Sequence, residues 1–169
     1  VPYDAVKDFT PVAMVAGTPN VLVAATNVPV TDLKSLVEYA KKNKVSYGSA
    51  GQGSLTHLAM EQFRTSAGFE AVHAAYRGIG PAITDILGGQ TQMMMPGLAA
   101  AVPHVRAGKM KPLAVTGLKR HPLLPEVPTF GESGLPGYVV ESWYGVAVPA
   151  GVPRDIVARL NTELVRILG

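Results

Sequence analysis

Apolar positions along this chain switch between a two-residue and a three-to-four-residue repeat, and the switches predict its elements. Runs 9–16 and 21–25 are β-branched and mostly apolar, and they read as buried strands joined by a turn at Gly17-Thr18-Pro19-Asn20. Leu33, Leu36, Val37 and Ala40 share one face of a helix over 32–42, with Thr31 as its cap. A short strand at 45–47 precedes a second helix, capped by Ser54 and closed near Gly68, whose repeating face carries Leu55, Leu58, Ala59, Gln62 and Phe63. A strand at 70–76 then leads through the loop 77–81 into a helix at 82–87, with Pro81 near its start and Gly88-Gly89 at its stop. Strand 91–95, helix 100–106 and strand 112–116 follow. Residues 119–137 are rich in proline and glycine and read as a loop segment. A strand at 138–148 carries Trp143, and a final helix after Pro153 presents Ile156, Val157, Leu160, Leu164 and Ile167 on one face. This alternation predicts an α/β fold with a largely parallel sheet flanked by helices.

The stretch Gly48-Ser49-Ala50-Gly51-Gln52-Gly53-Ser54-Leu55-Thr56 stands out, because a strand breaks there into glycines and serines before a helix begins. Such a connection leaves backbone N–H groups unpaired at the positive end of a helix dipole, which is a place for phosphate, sulfate or carboxylate. A tight turn with a serine cap that binds nothing is the alternative reading. A second strand-to-helix loop, Tyr76-Arg77-Gly78-Ile79-Gly80, would lie on the same carboxyl edge of a parallel sheet, where open α/β sheets bind ligands. One loop offers Ser49, Ser54 and bare N–H groups. The other offers Tyr76, Arg77 and the amide of Gly78. His57, three residues past the cap, reads either as an anion contact or as a packing residue.

Composition narrows the partners. The chain has 169 residues, 47% of them apolar, so it can build a packed core. Its net charge of +3 is spread out, with Lys41-Lys42-Asn43-Lys44 as the only cluster, placed to complement a helix C-terminus. No basic stripe interleaved with aromatics appears, which argues against nucleic acid. There is no cysteine, which removes disulfides, thiolate zinc sites and cysteine nucleophiles but fits several compartments. The longest apolar run, 93–102, is broken by Pro96 and Gly97 and falls short of a bilayer span. A chain opening on Val1 reads as a fragment or a trimmed piece.

Enzyme signatures are missing where they are most specific. Gly53-Ser54-Leu55 is not the Gly-Lys-Ser/Thr of a P-loop, and Gly51-Gln52-Gly53 lacks the third glycine of a dinucleotide fingerprint. No Gly-x-Ser-x-Gly elbow occurs. His57, His73, His104 and His121 have no metal-ligand spacing, and no carboxylate pair is spaced for acid–base work. No cofactor is implied.

The run Tyr47-Gly48-Ser49-Ala50-Gly51-Gln52-Gly53-Ser54 with His57-Leu58-Ala59, followed by Tyr76-Arg77-Gly78, closely resembles the Bug-type solute receptors of tripartite tricarboxylate transport systems. The likeness extends through Lys7-Asp8-Phe9-Thr10-Pro11-Val12, Asp85-Ile86-Leu87-Gly88-Gly89-Gln90 and His104-Val105-Arg106-Ala107-Gly108-Lys109 to Trp143-Tyr144-Gly145, so it covers essentially the whole chain. The resemblance implies a periplasmic-binding-protein-like lobe of type II, a small organic carboxylate as ligand, membrane transporter subunits as partners, a periplasmic location and no catalysis. It implies a second ligand-binding lobe at 21–138, with 1–20 and 139–169 as hinge and first-lobe material, and a missing first-lobe loop. Ser49, Gly51, Gly53, Ser54 and His57 would hold one carboxylate, with Tyr76, Arg77 and Gly78 on the other side. Ala75 stands where the family commonly has proline, and Pro96 where it often has an acidic or amide residue near the ligand. Two other classes stay open: an α/β enzyme acting on an acyl or phosphate substrate, and an interaction module that has lost its ligand and self-associates through its uncovered apolar face.

Overall fold

The computed structural model describes residues 2–169. The chain separates into two compact units, one spanning Thr18–Ser142 and the other made of the segments up to Gly17 and from Trp143 to Gly169.

The larger unit is built on a five-stranded sheet of order β4-β3-β5-β2-β6. Its strands are β2 (Val21–Ala24), β3 (Ser46–Ser49), β4 (Val72–Ala75), β5 (Met93–Met94) and β6 (Lys111–Val115), which follow β1 (Phe9–Pro19) in the chain. β3 runs parallel to both β4 and β5, whereas β2 is antiparallel to β5 and to β6. β3, β4, β5 and β6 therefore share one direction and β2 opposes them, so the sheet is mixed with most strands pointing one way. Every residue of β2 is fully buried, as an apolar run covered on both faces requires.

Helices α1 (Leu33–Lys42), α2 (Leu55–Ala67), α3 (Ile79–Leu87) and α4 (Leu98–Arg106) connect these strands. The cap of α1 is Asp32 rather than Thr31, because Asp32 and Ser35 close a reciprocal capping box and Thr31 lies one residue too early. Ser54 caps α2 as expected, and Gly68 ends it in the left-handed conformation. The buried face of α2 is Thr56, Ala59, Met60 and Phe63, while Leu55, Leu58 and Gln62 are exposed. The predicted face was rotated because the helix is pinned by an aromatic cluster: Phe63 packs edge-on against Phe69 at 5.2 Å and Phe130 at 5.4 Å, and Phe130 stacks on Tyr138 at 4.3 Å. The Tyr138 hydroxyl adds a 2.6 Å hydrogen bond to the Ala59 carbonyl. The segment 119–137 is turns, tied to the sheet by a bridge between Val115 and Thr129.

The smaller unit holds most of a ribbon of β1 paired with β7 (Glu141–Pro149), plus helix α5 (Arg154–Leu168). The turn predicted at residues 17–20 does not form, since β1 runs on to Pro19 and Gly17 has no positive φ. β1 is also not buried: Val12 is its one buried residue, because only β7 and α5 are available to cover it. α5 has the amphipathic pattern expected of it, yet none of its residues is buried.

Phe63 sits at the centre of the aromatic cluster and is fully buried. Phe63→Ala is expected to lower unfolding stability by about 3–5 kcal/mol, read as a shift of the urea midpoint at unchanged slope.

Candidate functional site

The two predicted loops lie side by side at one edge of the sheet. β3 and β4 pair in parallel from Ser46–Val72 to Ser49–Ala75, so their carboxyl ends emerge together. Two backbone bonds bind the loops to each other: the Tyr76 N–H donates to the Ser49 carbonyl at 3.1 Å and the Gly78 N–H to the Ala50 carbonyl at 3.2 Å. Gly51 has φ +127°, and a Cβ there would come within 3.1 Å of the Tyr76 carbonyl, so conformation and contact both require glycine.

Hydroxyls set the shape of the first loop. Ser54 donates its hydroxyl to the Gly51 carbonyl at 2.7 Å and accepts the His57 N–H at 3.3 Å, which is the N-cap bond. Thr56 accepts the Ala50 N–H at 2.9 Å. Ser49 is fully buried, accepts the Gly51 N–H at 3.1 Å and shares a 2.6 Å hydrogen bond with Nε2 of His73. The Gly53 N–H donates to Nδ1 of His57 at 3.1 Å.

This overturns one expectation. The N–H groups of Gly51, Gly53 and Gly78 are not bare, since all three are spent inside the loops. The first-turn N–H groups of Leu55 and Thr56 on α2, and of Ile79 and Gly80 on α3, have no acceptor among the described residues. Glycine here supplies the bend, and the neighbouring helix starts supply the donors.

Three nearly parallel rings cluster beneath the loop. Tyr47 and His73 are register partners on β3 and β4 and stack at 4.9 Å; His57 stacks on His73 at 4.0 Å. Glu61, one turn beyond His57 on α2, accepts the Tyr47 hydroxyl and a two-pronged bond from Arg64, at 2.7 and 2.6 Å. The Arg64 bond, ahead of the Tyr47 bond, draws the Glu61 carboxyl down to about 2. Burial, then the Glu61 bond, pushes the Tyr47 phenol upward. On the second loop, the bond from Tyr76 to Asp85, at 2.6 Å, raises the Tyr76 phenol to about 12. Arg77 is exposed and has no carboxylate partner among the described residues. Those residues also contain no grouping of three His, Asp or Glu suited to a metal, and no helix long and apolar enough to cross a membrane.

The structure therefore brings together Ser49, Gly51, Gly53, Ser54 and His57 in one loop and sets Tyr76, Arg77 and Gly78 beside it. His73, Thr56 and the Tyr47–Glu61 pair were not singled out from the sequence. His57 and Glu61 lie four residues apart on α2, but only the β3–β4 register shows that His73 meets them.

A sheet in which one strand opposes four, with paired strand-to-helix loops at one edge, defines an α/β lobe of the solute-binding class. An ancestral arginine-binding protein, 15% identical, shares the fold at a TM-score of 0.58 over 94% of this chain and 58% of its own. The chain belongs to the tripartite tricarboxylate transporter receptor family, TctC, whose sequence profile matches residues 1–168. It is 41% identical over 167 residues to a UPF0065 protein from the tcbD-tcbE intergenic region of Pseudomonas sp. strain P51, covering 97% of this chain and 50% of that protein. It is 32% identical to BugT of Bordetella pertussis, covering 97% of this chain and 51% of that one. Among solved structures, an R. palustris protein with adipate is 40% identical with a TM-score of 0.94, covering 99% of this chain and 56% of that one. MatC from Rhodopseudomonas palustris with bound malate is 34% identical with a TM-score of 0.89, covering 98% of this chain and 57% of that one. The chain thus spans about half the length of the curated relatives it matches.

Burial, and secondarily the charge of His57, holds the His73 imidazole below its usual value. The unfolded chain therefore takes up this proton first, so the stabilisation is present above about pH 6.5 and is lost as pH falls below that. The melting temperature is expected to fall between pH 7.5 and 5, and His73→Phe is expected to flatten that fall in a calorimetric pH series.

Proposed function

We propose that this chain contributes the carboxylate-binding lobe of a periplasmic receptor serving a tripartite tricarboxylate-type transporter. The observation that carries the proposal is the pairing of two strand-to-helix loops with unpaired helix-start N–H groups on both. Four N–H donors at two positive helix ends suit a small anion with no metal or lysine needed. Ser54, Gly53 and His57 cradle one carboxylate at the start of α2, with Ser49 and Gly51 holding the loop. Tyr76, Arg77 and Gly78 line the other side, and exposed Arg77 is available for charge pairing. Relatives solved with adipate and malate support a carboxylate over phosphate or sulfate. On this reading residues 21–138 are the binding lobe, and 1–20 and 139–169 are hinge and first-lobe material. Membership of the family supports transporter subunits as partners and the periplasm as location.

The test is a thermal-shift series on the chain with mono-, di- and tricarboxylates, and with phosphate and sulfate as controls. A ligand at a hundred times its dissociation constant adds about 2.7 kcal/mol, so a selective rise with at least one carboxylate is expected. Ser54→Leu should abolish that rise. Because it also removes a cap worth about 1 kcal/mol, Asp32→Ala serves as the control that loses a remote cap yet keeps the response. No rise with any carboxylate overturns the proposal.

A further inference from the structure

We infer that His73 is a positioning residue for the anion loop, fixing it through two separate arms that meet on one imidazole. The inference rests on the reading of that loop as the binding site, but its test does not require a ligand. The first arm is polar: His73 Nε2 holds the buried Ser49 hydroxyl at 2.6 Å, and that hydroxyl accepts the Gly51 N–H at 3.1 Å. The second is a ring contact: His73 stacks on His57 at 4.0 Å, and Nδ1 of His57 accepts the Gly53 N–H at 3.1 Å. Gly51 and Gly53 are the two positive-φ positions of the loop, at +127° and +75°, so each arm ends on one of its bends. A free glycine at such a position samples many conformations, and the arms remove that freedom before a ligand arrives.

Groups around the pair keep the rings in place. Tyr47 packs against His73 at 4.9 Å, lies 6.4 Å from His57 and is held through Glu61 and Arg64 on α2, and Arg64 also pairs with Glu70 just before β4 at 3.3 Å. Since His57 accepts the Gly53 N–H through Nδ1, its proton resides on Nε2, and charging the ring would turn that acceptor into a second donor.

Two variants separate the arms. His73→Phe keeps a ring for His57 to stack on but has no nitrogen for Ser49. His73→Gln places an amide where Nε2 was but offers no ring. Amide exchange of the ligand-free chain, followed by NMR, reads each arm at its own glycine. In His73→Phe the Gly51 amide is expected to exchange about fivefold faster, the factor corresponding to one neutral hydrogen bond, with Gly53 unchanged. In His73→Gln the pattern should reverse. A role confined to packing would move both amides together in both variants. That result, or no change at either glycine, overturns the inference. The same variants titrated with the carboxylates above separate the two ideas: if the wild type binds none of them, the functional reading fails while the exchange pattern still decides the role of His73.

Discussion

The Gly51 carbonyl takes both the N–H and the hydroxyl of Ser54, at 3.1 and 2.7 Å, and the remaining geometry of the site depends on that closure. It turns the chain from β3 into α2 within five residues and fixes Ser54 as the cap. It also leaves the N–H groups of Leu55 and Thr56 at the start of α2 without internal partners. The second loop inherits its position from the first, because β4 follows β3 in strict register and the Gly78 N–H reaches back to Ala50. Moving the first loop would therefore move the second.

The sheet beneath these loops tolerates little disturbance. β2 lies at the interior of the sheet, fully buried, and is anchored at its entry by Asn20, whose N–H donates to Thr116 at 2.8 Å and whose amide donates to the Met95 carbonyl at 2.9 Å. A buried amide without such partners would cost about 1–3 kcal/mol, so these bonds fix where the chain enters the sheet. That entry sets β2 against the direction of its neighbours, and the other four strands keep a common carboxyl edge.

Much of this was legible in the sequence, and what was not shares a physical cause. The strands, the Ser54 cap, the Gly68 stop and the adjacency of the two loops follow from periodicity and turn chemistry, which are local. Thr31 in place of Asp32 was an error of one residue, the scale at which neighbouring polar residues compete for a cap. Leu55 and Leu58 read as core because they are apolar at helical spacing. The long-range aromatic cluster around Phe63 instead turned Thr56 and Met60 inward. β1 read as buried because its residues are β-branched, and composition cannot report that the smaller unit holds only one partner strand and one helix to cover it. The loop residues were recognised and their division of labour was not. His73 becomes visible only once β3 and β4 are placed in register, since no spacing in the chain joins residue 73 to residues 47, 49 and 57.

That division of labour bears on how such a site is specified. Glycines and serines mark the stretch, yet their groups are consumed in making the bends, and the donors left without partners are the backbone N–H groups of Leu55, Thr56, Ile79 and Gly80, which any residue but proline could supply. Residue identity in the motif therefore encodes conformation, and on the proposed reading it favours an anion without choosing one. On the proposed reading, choice among acids of different length and charge falls to exposed side chains at the rim, Gln52, Leu55 and Arg77, which the fold leaves free to vary because none of them supports the loop. One scaffold can then keep its carboxylate chemistry while its preferred acid changes, through substitutions that cost the fold almost nothing.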